Sequence, residues 1–181
     1  MMIKFTEIKG FKSLLFAGVL LGVVSPSLYA QEATTPEQTA IEKLGFLVGE
    51  WEGPGISYGR DGTENHYHDK ESVWFDVQNS LLIIQARGFR SGRQTYGIHT
   101  VINYDVEAGH YWYNPYTAKG VSRPFKCMLE AQEFKCLVED GLYRLTFRRT
   151  ADGSWNEFGE RKTEAGWQKN FETILKTASS K

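Results

Sequence analysis

The chain has 181 residues, 41% of them hydrophobic and 24% charged, with a formal net charge of −1. That length fits one domain with a single core. Charges of both signs alternate without a basic block, which excludes the concentrated Lys and Arg that nucleic-acid binding requires.

Residues 1–30 have the layout of a cleavable export signal. Lys4, Lys9 and Lys12 outweigh Glu7, residues 14–24 form an apolar run, and Ser27-Leu28-Tyr29-Ala30 offers cleavage after Ala30. The apolar run is too short for a spanning helix, which takes about 20 residues. No Cys follows the cleavage point, which argues against a lipid anchor. The expected mature protein is periplasmic or secreted and has no membrane span. The signal holds three Lys and one Glu, so its removal leaves a net charge of −3.

Residues 31–40 read as a polar leader and the start of a helix, and 41–178 as the folded domain. Thr35 is placed to cap Pro36-Glu37-Gln38, with Gln38 at the third position of a capping box. Ile41, Leu44 and Phe46-Leu47 supply an apolar face, and Gly49 ends it. From there the pattern is strand and turn. Runs rich in Val, Ile, Thr and aromatics cover 50–58, 67–77, 81–88, 96–104 and 110–113. Two short runs around the cysteines follow, then 142–149, 155–161 and 167–177. Tight turns are signalled at Asn79-Ser80, Asp140-Gly141, Asp152-Gly153 and Ala165-Gly166.

About ten antiparallel strands in sequence order, with no room for crossover helices, predict an all-β, up-and-down β-barrel with one short amino-terminal helix. A β-sandwich would need longer connections. Residues 81–84 are apolar on both faces, so the helix is expected to cover their outer side or plug a barrel end.

Cys127 and Cys136 form an even pair in an exported chain, which favours a disulfide. Folding 125–138 as a hairpin about Ala131-Gln132 sets Cys127 opposite Cys136, Phe125 opposite Val138 and Leu129 opposite Phe134. The spacing is not that of a redox CxxC motif.

Leu44-Gly45-Phe46-Leu47-Val48-Gly49-Glu50-Trp51-Glu52-Gly53-Pro54-Gly55 resembles the opening of lipocalin-like (calycin) bacterial barrels, including the nitrobindin group. The two final strands, around Trp155 and Trp167, resemble their closing hairpin. The resemblance implies a barrel and, in nitrobindins, haem held by a histidine on a late strand. Here the last histidine is His110, so the haem ligand has no counterpart and no cofactor is expected.

A barrel of this size can enclose one small ligand. Trp51, Trp112 and Trp167, on different strands, are candidates to converge on a small hydrophobic or aromatic molecule. The competing reading is a filled aromatic core. His99 and His110 fall on consecutive strands. A hairpin centred near Glu107 sets Asn103 opposite His110 and Val101 opposite Trp112, a pocket wall of mixed polarity. Glu157, flanked by Trp155 and Gly159, adds a carboxylate whose burial would favour its neutral form. An enzyme using a His/Glu pair is the alternative to a binding barrel, and a structural module with a solid core is the third. His66 and His68 alternate with Tyr67, Val73 and Phe75, so they are expected on the wet outer face and not as metal ligands.

Overall fold

The computed structural model describes residues 33–179; the export signal expected at 1–30 lies outside them. Helix α1 (Pro36–Glu42) begins as a capping box. Gln38 N–H donates to Thr35 Oγ1 at 3.2 Å, and Thr35 N–H donates to Gln38 Oε1 at 2.7 Å. After Glu42 the chain tightens into a 3-10 turn, Gly45–Leu47.

Ten strands follow: β1 (Gly49–Tyr58), β2 (Glu64–Asp76), β3 (Leu81–Arg90), β4 (Arg93–Asp105), β5 (His110–Tyr116), β6 (Phe125–Glu130), β7 (Glu133–Val138), β8 (Tyr143–Arg149), β9 (Trp155–Thr163) and β10 (Gly166–Thr177). Each pairs antiparallel with the next, and β10 closes on β1 through pairs such as Gly55↔Thr173 and Trp51↔Thr177. The result is a closed ten-stranded barrel whose ladder has no free edge. Among the described residues, no helix is long and apolar enough to cross a membrane.

Strand alternation divides inside from outside. One end of the barrel is solid. Ile41, Leu44 and Leu47, all fully buried, enter from the helical segment and join Trp51, Leu82, Ile102, Trp155 and Leu175 in one core. Of the two positions open to the helix, it therefore takes the plug. Two hydrogen bonds fix it: Trp51 Nε1 donates to Leu47 O at 2.8 Å, and the Tyr111 hydroxyl donates to Ala40 O at 2.9 Å. A third runs from Gln38 Nε2 to Gln78 O at 2.7 Å. It meets a β2–β3 turn in which Val77, Gln78 and Asn79 all have positive φ, a conformation disfavoured for a β-branched residue such as Val77.

The cysteine hairpin adopts the register read from its sequence: Phe125↔Val138, Cys127↔Cys136 and Leu129↔Phe134. Both cysteines face the core, and they form a disulfide. The bridge closes a loop of sequence separation 9. The Cys127→Ala/Cys136→Ala double variant should lose slightly less than ~3 kcal/mol by loop-closure entropy, plus any packing loss. Urea unfolding of wild type with and without reductant, beside the variant, measures this; equal midpoints for oxidised and reduced wild type would contradict it.

Candidate functional site

The end of the barrel opposite α1 is not filled. Between β1, β2, β3, β4, β5, β9 and β10 lies a cavity of about 220 Å³, with Tyr67, Asp69, Glu71, Tyr96, Tyr113 and Glu157 in its wall. The inward positions of β2 run Tyr67, Asp69, Glu71, Val73, Phe75, so one strand carries the change from polar mouth to apolar core. Glu157 arrives from β9, where its partners are Phe147 and Thr173.

Inward glycines make room for the large side chains. A Cβ on Gly55 would stand 2.3 Å from Tyr67 Cζ, and one on Gly88 would stand 1.9 Å from Tyr96 Cε1. The two tyrosine rings therefore lie flat across neighbouring backbone and meet edge to face, 5.8 Å apart.

The carboxyls are deeply buried: Asp69 and Glu71 are 3% exposed and Glu157 8%. Asp69 accepts from the Tyr96 hydroxyl at 2.7 Å and from Lys70 N–H at 3.0 Å. Glu71 donates a hydrogen bond to Glu157. Loss of hydration dominates all three and favours their neutral forms. It pushes Asp69 up to about 6, against the pull of the Tyr96 bond. Glu157 rises to about 8 through burial and then the charge of Asp69. Glu71 rises well above the usual carboxylate range through burial, then the charges of Glu157 and Asp69. Burial also raises the Tyr67, Tyr96 and Tyr113 hydroxyls.

Of the residues singled out in the sequence, Glu157 alone lines this cavity. Trp51 points inward but belongs to the solid end, edge-on to Trp155 at 5.8 Å with the Arg149 guanidinium 4.5 Å from its ring centre. His99, His110 and Trp112 share a face, as read, but it is the outer one. The β4–β5 register pairs Asn103 with Trp112 and Val101 with Asn114, two residues from the expected alignment, which leaves the face unchanged. The inner face of this pair carries Tyr96, Ile98, Thr100 and Ile102, with Tyr111 and Tyr113 opposite. His110 packs edge-on against Trp112 at 4.6 Å, and Trp112 Nε1 reaches Asp105 Oδ2 at 3.4 Å. His99 lies beside Trp74 at 6.4 Å. Neither histidine meets Glu157.

Trp167 is outside because β10 bulges at Asn170: Lys169 pairs with Glu160, and Phe171 with Gly159. One extra residue reverses the facing of every position before it, and Trp167 stacks under Arg144 at 4.3 Å. His66 and His68 lie on the outer face beside Glu64 and Glu52. Asp69 and Glu71 were the residues overlooked. Their signal was present, since they share the parity of Tyr67, Val73 and Phe75.

A broader hollow of about 1410 Å³ crosses the outer face of the sheet around β6–β9. Most of its charged groups are already matched, Lys135 with Glu130 and Glu133, Arg148 with Glu133, Arg144 with Glu160, and Arg123 with Asp140. Exposed pairs of this kind are ordinary surface chemistry. The mouth cavity differs because its three carboxyls are buried and form no ion pair among the described residues.

No family model matches the chain, and no curated protein matches it. Its fold is similar to the crystal structure of Rv2717c from M. tuberculosis, with a TM-score of 0.57 over 81% of this chain and 100% of that one. At 11% identity the likeness is one of fold.

The buried carboxyls set a pH dependence. Glu157 is raised from 4.5 to about 8, so between those values the folded chain holds a proton that the unfolded chain has released. Its contribution to stability is fully present below pH 4.5 and is lost as pH rises through about 8. Asp69 adds the same sign between 3.8 and about 6. Urea midpoints should fall from pH 5 to pH 9, and Glu157→Gln should flatten the upper part of that slope. A wild-type midpoint that rises over the interval would contradict the assignment.

Proposed function

We propose that this chain is an exported barrel that binds a small, partly apolar molecule in its mouth. The observation that carries the reading is the cavity of about 220 Å³, walled by tyrosines and buried carboxyls while the opposite end is packed solid. Concave sites that combine apolar walls with a few convergent polar groups are the usual form of ligand pockets. The volume is below the roughly 300–1,000 Å³ of drug-sized sites, which points to a single-ring or comparably small molecule. Export is supported by the layout of residues 1–30 and by compatibility with the Cys127–Cys136 disulfide. Kinship with lipocalin-like barrels rests on the two end motifs together with the ten-stranded fold.

Acid catalysis inside the barrel is the second reading, favoured by the hydrogen-bonded Glu71–Glu157 pair. A paired carboxyl that keeps its proton near neutral pH suits a general acid. The His/Glu version has no support in the geometry, because His99 and His110 are on the outer face.

Native mass spectrometry of the protein recovered from its export compartment tests the binding reading. A reproducible added mass is expected. Ala86 lines the cavity, so Ala86→Phe should remove that mass while costing no more than about 3 kcal/mol of stability from overpacking. A bare wild-type mass, or an added mass retained in Ala86→Phe, would count against the mouth as the site.

A further inference from the structure

We propose that the mouth cavity selects a small organic cation, a primary amine carried on an aromatic or apolar body. This deepens the reading of the cavity as a ligand site and rests on it.

The charge of the cavity wall favours a cation. Asp69, Glu71 and Glu157 all reach the cavity, and none takes part in an ion pair among the described residues. The basic side chain in the cavity wall is Arg90, at the far end of β3 on the rim. His68 acts on Asp69 from the outer face, and Arg161 acts on Tyr143. The inner polar wall is therefore acidic, and its members repel one another. A cation among them would replace that repulsion with attraction in a site that excludes water.

The hydrogen-bonding character of the wall points the same way. Thr173 is 1% exposed and faces inward from β10, between Gly55 and Glu157. Its hydroxyl lies behind the cavity wall, beside that of Tyr67. The carboxylates and the tyrosine hydroxyls of the wall can all accept hydrogen bonds, and an ammonium offers three donors and no acceptor.

The remaining wall suits the rest of such a molecule. Tyr67, Tyr96, Tyr113 and Phe171 present aromatic surface around the acids, favourable to an apolar body and to a cation over a ring face. An anion would meet the carboxyls as a like charge. A neutral apolar molecule would offer the carboxyls no hydrogen-bond donor.

Binding must then be linked to protons. The amine arrives charged, Asp69 is largely ionised at neutral pH, and the Glu71–Glu157 pair gives up a proton to solvent as the ammonium takes its place. With one proton released, affinity rises by up to about tenfold per pH unit below the pair's titration.

Isothermal titration of the full chain with benzylamine, benzyl alcohol and benzoate, in two buffers of different ionisation enthalpy, tests this. Benzylamine should bind tightest, bind more tightly at pH 8 than at pH 6, and release protons to the buffer. Glu157→Gln and, separately, Asp69→Asn should each weaken benzylamine at least tenfold and leave benzyl alcohol within about twofold. Two variants keep the test intact should one fail to fold. Benzyl alcohol or benzoate binding as tightly as benzylamine, or benzylamine binding without proton release, overturns the amine assignment while the cavity reading stands. Binding of none of the three overturns the amine assignment, and the added mass in native spectra then decides the cavity reading separately.

Discussion

Closure of the sheet by the β1–β10 ladder is the constraint on which the rest depends. In an open sheet, a side chain facing away from the core faces water. In a closed barrel each alternate side chain is committed to an interior it shares with nine other strands. Inward residues must then fill that interior or line a cavity within it. Here the two outcomes are separated along the barrel axis. The helical plug, Trp51, Trp155, Phe134 and Phe147 fill one end with interlocking rings, and the acids and tyrosines hold the other end open.

That separation explains the glycines of the mouth. A full wall of Cβ atoms would push Tyr67 and Tyr96 off neighbouring strands and into the cavity. Gly55 and Gly88 let the rings lie against backbone, so the space is kept while the Tyr96 hydroxyl still reaches Asp69. The rim stays hydrogen-bonded through its strands, and the side chains carry the chemistry.

Elements governed by local rules were legible in the sequence. The capping box at Thr35 and Gln38 needs only neighbours three residues apart. The Cys127–Cys136 register follows from one turn and matching apolar pairs on either side. Facing was legible wherever one side was plainly wet, as at His66 and His68. It failed on β4 and β5, where Val101 and Asn103 outside look no more polar than Thr100 and Tyr104 inside. It failed on β10 because a bulge at Asn170 carries no strong composition signal and reverses Trp167. Asp69 and Glu71 were hidden for a deeper reason. Hydrophobic patterning assigns charge to the solvent side, so it errs where a buried charge is kept for use. Departures of this kind are expected at functional sites.

The acids are hard to explain as scaffolding. A buried ion pair is at best near break-even against apolar side chains of similar volume, and among the described residues these three carboxyls form no ion pair at all. Glu71 and Glu157 keep their mutual hydrogen bond largely by keeping protons, and Asp69 relies on Tyr96 and one backbone amide. Leucines at these positions would bury more comfortably and extend the core that already fills the other end. The cluster thus lowers the stability of the empty barrel as pH rises, in proportion to the negative charge it exposes to the cavity. That same charge is what an incoming cation would meet, so the instability of the empty site and its affinity for such a ligand have one physical origin.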